Sequence, residues 1–309
     1  MTHDIHNHET HDHDLGLAHD LQVMVKLADR RRMLRMFAGV GTAALVGACG
    51  GTSSGGSSGT VTVAPTPTPT PSATATPTPT PTPTPTSSTT ACVADPQETA
   101  GPYPADGTNT ATGATSNALT ATGIVRSDIR PSLISSTIVA QGVQVTLTLT
   151  VVNVNAACAP LAGYAVYLWH CDRAGAYSLY GSAAAESYLR GVGVTDANGQ
   201  VTFTTIFPGC YDGRWPHMHF EIFSSLAAAT GGRFAVLTSQ LAMPSATSSA
   251  VYSGASGYTS SVTNFARVSL NSDGIFGDNT AAQNTAMTPT FTGSVAAGYT
   301  AAATIGIAR

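Results

Sequence analysis

Apolar and polar positions alternate with a period of two over Val145-Thr146-Leu147-Thr148-Leu149-Thr150-Val151. That pattern predicts a strand with one buried face. Shorter runs predict further strands at 164–169, 193–195, 201–206, 217–223, 234–241 and 299–307. Asp196-Ala197-Asn198-Gly199 predicts a hairpin turn joining the runs at 193–195 and 201–206. No long segment carries a 3.6-residue apolar period. Short strands separated by Gly, Asn and Asp turns predict an all-β fold, a sandwich of two sheets.

The pattern breaks at the N-terminal end. Residues 1–20 hold six of the nine histidines, at positions 3, 6, 8, 11, 13 and 19. Asp29-Arg30-Arg31-Arg32-Met33-Leu34-Arg35 follows, then an apolar run from Met36 to Ala48. The first motif resembles a twin-arginine export signal. The apolar run is too short to span a bilayer comfortably. Leu45-Val46-Gly47-Ala48-Cys49-Gly50 resembles a lipobox, which implies a lipidated Cys49 at the mature N-terminus. Residues 1–49 are therefore expected to be a signal of the twin-arginine, lipoprotein type with a His-rich leader. Residues 50–90 are Gly/Ser-rich and then alternate Thr and Pro. They are expected to form an extended stalk, because proline removes donors and fixes φ. Residues 91–309 are expected to be the folded domain, exported to the periplasm or cell surface and held to the membrane only through the lipid anchor.

Charge narrows the function classes. The chain has 309 residues, a net charge of −4 and only 10% charged residues. From Gly50 onward we count eight arginines, no lysine and eleven acids. A nucleic-acid binder needs a basic face to neutralise phosphates, so nucleic acid is excluded as a partner. A polybasic membrane-surface domain is excluded on the same ground. A homo-oligomer stays open.

The candidate chemistry lies between residues 169 and 219. Outside the leader there are only three histidines, His170, His217 and His219. His217-Met218-His219 falls on a predicted strand, where residues i and i+2 share a face. Two imidazoles about 7 Å apart at Cα can reach one metal. Upstream run Trp169-His170-Cys171-Asp172-Arg173-Ala174-Gly175-Ala176-Tyr177 and Thr205-Ile206-Phe207-Pro208-Gly209-Cys210-Tyr211-Asp212-Gly213-Arg214. Together with Glu98-Thr99-Ala100-Gly101-Pro102-Tyr103, these segments resemble the intradiol ring-cleavage dioxygenases. The likeness is closest over 92–223; Asp273-Gly274-Ile275-Phe276-Gly277-Asp278 also resembles secreted members.

The resemblance implies an intradiol-dioxygenase core of the prealbumin/Ig-like sandwich type. It implies a non-haem Fe(III) site with Tyr177, Tyr211, His217 and His219 as ligands. Phenolates are hard anionic donors that suit ferric iron. The implied reaction cleaves a catechol-type ring between its two hydroxylated carbons with O2, giving a muconate-type diacid. Arg214 would stabilise negative charge on the substrate, and Tyr211 is the phenolate expected to leave the metal. Arg214 could instead form a surface ion pair with Asp212 or Glu221. Tyr180 and Tyr188 are alternative first ligands. His170 is expected to be structural, Asp172 and Asp196 to be turn residues, and Trp215 to wall the pocket or cover a sheet edge. Only five residues separate Tyr211 from His217, which implies a more open pocket than in the cytosolic aromatic-pathway enzymes. No helical dimerisation segment is visible near the N-terminus.

With Cys49 lipidated, four cysteines remain in the exported domain, where disulfides persist. Cys158 and Cys171 flank one predicted strand and lie roughly 25 Å apart, too far to bridge. Cys171 and Cys210 each precede a candidate tyrosine ligand and are expected to pair, leaving Cys92 with Cys158. The same chain pattern also resembles non-catalytic surface modules of the transthyretin/Cna-B type. A zinc or copper binder is disfavoured by the two phenolates.

Overall fold

A computed structural model of the chain describes residues 92–231 and 234–309. The signal at 1–49 with Cys49, and the stalk at 50–90, lie outside the described residues. Two sheets pack face to face. The first is built on β1 (Gln144–Asn153), which pairs antiparallel with β2 (Ala159–Pro160) and, earlier along its length, with β5 (Gln200–Ile206). Its other edge runs parallel to β9 (Gly298–Ile307), and β8 (Thr290–Ser294) closes that side. The second sheet has the order β4 (Arg190–Val194), β3 (Ala165–Trp169), β6 (His217–Phe223), β7 (Leu237–Ala242), with every pair antiparallel.

The period-two pattern of β1 drives the assembly. Val145, Leu147, Leu149 and Val151 are buried against Val166 and Leu168 of β3 and Met218, Phe220 and Ile222 of β6. Fully burying such side chains stabilises the fold by about 1.5–3 kcal/mol each. The opposite face of the second sheet is also covered. Ala165, Tyr167 and Trp169 of β3 face a second cluster with Ala105, Leu119, Tyr177 and Tyr180. Arg190 ties this cover down. Its guanidinium is buried and donates to the carbonyls of Tyr103, Pro104 and Ser178 at 2.7–2.9 Å. Between β7 and β8 the chain runs through three short helices, α2 (Ser245–Gly254), α3 (Thr259–Phe265) and α4 (Ala281–Ala286); α1 (Leu226–Thr230) precedes β7. Among the described residues no helix is long and apolar enough to cross a membrane.

Two expectations are corrected. The turn at Asp196–Gly199 forms, with Asp196 Oδ1 accepting from the N–H groups of Asn198 and Gln200, but it joins no hairpin. β4 and β5 belong to different sheets and meet face to face. A Cβ at Gly193 would stand 2.4 Å from Val201 Cγ2, so glycine permits the close approach. Cys171 and Cys210 are free, buried thiols and do not pair. Each is turned to a different carbonyl, Cys171 Sγ to Gly209 at 3.5 Å and Cys210 Sγ to Arg214 at 3.4 Å. The structure joins Cys92 to Cys158, with Cα atoms 5.9 Å apart.

A thiol assay on residues 91–309, denatured without reductant, should therefore count two reactive thiols; none would restore the second bridge. Asp95 offers a pH test. Burial raises its carboxyl to about 7, opposed by the Gly306 N–H it accepts from. The fold thus favours the protonated form. That contribution is full below pH of about 4 and is lost as pH rises to about 7. Urea unfolding across that range should show the loss, and Asp95→Asn should flatten it.

Candidate functional site

The pleat of β6 splits its residues between two environments. Met218, Phe220 and Ile222 enter the inter-sheet core. His217 and His219 point to the other face, each 2% exposed. Trp169 is the cross-strand partner of His219, and its ring stacks on the imidazole with centroids 5.0 Å apart. His217 Nδ1 lies 2.6 Å from the Trp215 carbonyl, which can only accept. The proton therefore sits on Nδ1, and the lone pair of Nε2 faces inward.

Two loops bring the phenols to this face. Asp172 builds the first, accepting on Oδ1 from Ala174 N and Ala176 N at 2.8 and 3.0 Å. This turn delivers Tyr177, which packs against Tyr103 with ring centroids 5.0 Å apart. The second loop follows β5 and carries Tyr211, which is half-buried. The loops touch through glycines. Gly175 has φ +93, and a Cβ there would meet Tyr211 Cβ at 3.1 Å; one at Gly209 would meet the Asp172 carbonyl at 2.8 Å. The Gly-Ala-Tyr and Gly-Cys-Tyr motifs thus allow the two tyrosine-bearing backbones to lie against each other.

The result is a convergence of four donor atoms. His217 Nε2 is 3.1 Å from His219 Nε2, 3.2 Å from Tyr211 Oη and 3.4 Å from Tyr177 Oη. Metal–imidazole bonds are about 2.0–2.1 Å, so donors around one ion stand roughly 3–3.4 Å apart. The four side chains fit a single metal ion. Burial pushes both phenols above their usual range and both imidazoles well below theirs; Arg214 opposes the first shift and adds to the second. A bound cation inverts that preference by favouring phenolates. Among the described residues no cluster of three His, Cys, Asp or Glu offers another metal site.

Arg214 is not on the surface. Its Nε donates to Asp273 Oδ2 at 2.9 Å and its Nη2 to Gln240 Oε1 at 2.7 Å. The expected alternative partners, Asp212 and Glu221, are not the ones used; a loop 59 residues away supplies the carboxylate. Trp215 covers a sheet edge: its Nε1 donates to the Met243 carbonyl, and its ring packs on Phe265 beside Ala242 of the edge strand β7. His170 is satisfied at both nitrogens, by the Cys171 carbonyl and the Thr205 hydroxyl. Tyr180 and Tyr188 bond Asn109 and Asp172, away from the four donors. Sequence reasoning missed Gln240 and the Trp169 stack; only strand pairing reveals either.

Comparisons with known proteins bear on the fold that carries this site. The family model described as Dioxygenase matches residues 134–217. An intradiol ring-cleavage dioxygenase from Tetranychus urticae is 26% identical, covering 70% of this chain and 95% of its own, with a TM-score of 0.53. By these two findings the folded region is similar to the intradiol ring-cleavage dioxygenases. A second dioxygenase structure aligns at 25% identity and a TM-score of 0.52, over 70% of this chain and 95% of that one. A looser likeness reaches catechol 1,2-dioxygenase from Pseudomonas arvilla C-1, at 19% identity, 60% and 58% coverage and a TM-score of 0.37. Curated protein sequences return no match.

Gly101 tests the histidine face of this four-donor site. Its φ is +71, and an added Cβ would stand 3.1 Å from His219 Cε1. Gly101→Ala should keep the far-UV spectrum but lower metal-ion uptake in equilibrium dialysis, by about tenfold or more. Unchanged uptake would detach His219 from metal binding.

Proposed function

We propose that the protein is a non-haem Fe(III) dioxygenase that cleaves a catechol-type ring between its two hydroxylated carbons. Both atoms of O2 enter the product, a muconate-type diacid. One observation carries the reading: in a buried site the donor atoms of His219, Tyr211 and Tyr177 converge to 3.1–3.4 Å from His217 Nε2. Two anionic oxygen donors suit ferric iron over softer metals. Bound there, ferric iron would supply Lewis acidity toward a chelating catecholate and its reaction with O2.

The protein's own groups have distinct tasks. His217 and His219 stand on a rigid strand and fix one side of the site. His217 keeps its Nδ1 proton on the Trp215 carbonyl, so Nε2 stays a ligand. Tyr177 is 4% exposed and packed on Tyr103, which suits a permanent ligand. Tyr211 is half-buried on a loop; as a phenolate held by the metal, its Oη would accept a proton from a substrate hydroxyl and leave as the neutral phenol. Arg214 offers positive charge to the electron-rich ring; in a buried site that charge acts with little screening. The export motif and Cys49 support a domain displayed at the periplasm or cell surface on a lipid anchor. Environmental catechols would then be the accessible substrates.

Iron-loaded protein should show a visible phenolate-to-iron band that moves to longer wavelength when catechol is added under argon. Tyr211→Phe should shift or bleach the band with the fold intact, and His217→Ala should lose iron. A colourless iron-loaded protein would overturn the reading in favour of a non-catalytic sandwich module.

A further inference from the structure

Asp273 lies in the loop between α3 and α4, a segment outside both sheets. Its side chain is fully buried and accepts four hydrogen bonds. Oδ1 takes the N–H groups of Ile275 and Phe276 at 2.8 and 3.1 Å. Oδ2 takes Arg214 Nε at 2.9 Å and Trp215 N at 2.6 Å. The Trp215 carbonyl, in turn, receives the Nδ1 proton of His217 at 2.6 Å. Phe276, from the same loop, packs against the His217 ring with centroids 6.5 Å apart. One carboxylate therefore holds both the Arg214 side chain and the N–H of Trp215, the residue whose carbonyl faces His217.

We infer that Asp273 is the positioning residue of Arg214: anchored on the Trp215 N–H and on its own loop, it aims the Arg214 guanidinium at the four-donor site. The inference rests on the catechol-cleaving reading for its kinetic consequence, but not for its structural one. Arg214 is long and has many rotamers. An arginine held only by Gln240 would be free to swing, and a buried guanidinium without a counter-charge is costly. Asp273 removes both problems while leaving part of the fork uncommitted to the carboxylate. Its use of Nε rather than a bidentate clasp leaves Nη2 to Gln240. Gln240 is itself fixed, because its Nε2 donates to the Thr99 carbonyl at 3.0 Å. Two anchors from separate parts of the chain thus triangulate one charge.

The test is Asp273→Asn in the full iron-loaded chain, beside Arg214→Gln and the double variant. An asparagine amide presents N–H groups where two donors already point, so it cannot replace the carboxylate. We expect wild-type iron content, a kcat per bound iron lowered about 100-fold and a KM changed little. The double variant should lose no more than Arg214→Gln alone, and Asp273→Glu should recover part of the loss. A merely structural carboxylate would lower iron content or melting temperature and leave kcat per bound iron unchanged, which would overturn the inference. So would additive losses. Should Asp273→Asn not fold, Asp273→Glu replaces it in the cycle, with a smaller loss of kcat per bound iron expected and again none in the double variant beyond that of Arg214→Gln. A crystal structure of metal-free Asp273→Asn gives a readout independent of activity. Arg214 withdrawn from Gln240 supports the inference, and Arg214 in place overturns it. Wild-type protein that binds iron yet leaves catechol intact would sink the proposed function alone.

Discussion

The pleat of β6 is the constraint on which the rest depends. Every residue of this strand is buried, because one face packs between the sheets and the other lies under loops. Met218, Phe220 and Ile222 anchor it in the core, and His217 and His219 are left with no choice of direction. A sheet interior is packed to crystal density, so the two imidazoles inherit its rigidity. The tyrosines arrive differently, on loops. Their precision comes from backbone contact at Gly175 and Gly209, where a side chain would not fit. Rigid strand donors and glycine-locked loop donors meet around a volume the size of one ion.

Electrostatics completes the site with few charges. The folded region is poor in ionisable residues, yet it buries Arg190 and Arg214. Arg190 spends its donors on carbonyls and hydroxyls and serves as a clamp for the segment that covers the second sheet. Arg214 is balanced by one carboxylate, Asp273, and steered by one amide, Gln240. The first is scaffold; the second keeps a positive charge beside four groups that turn anionic or coordinating only when a cation is present. The region between β7 and β8 thus has a purpose beyond covering the sandwich, because it delivers Asp273.

Much of the site was legible one residue at a time. The spacing of His217 and His219 on a strand put both on one face, and the motifs ending in Tyr177 and Tyr211 pointed to the phenols. His170 was readable as structural, and Asp172 and Asp196 as turn formers. The rest was not legible for one reason. Turn chemistry at 196–199 does not say whether the flanking strands share a sheet. A position before each tyrosine does not fix where the Cys171 and Cys210 thiols point, and each faces its own carbonyl. Acids near Arg214 in sequence do not reach it, and its partner is 59 residues on.

By itself the sequence determined the strand periods, the donor types and the turn residues, since each follows from local sterics and the chemistry of a side chain. Only the tertiary structure decided which strands share a sheet, which cysteines bond and which carboxylate balances the buried arginine. Those outcomes depend on the approach of segments far apart along the chain. That approach is set by how the two sheets bury their apolar faces together, and no local stretch of residues encodes it.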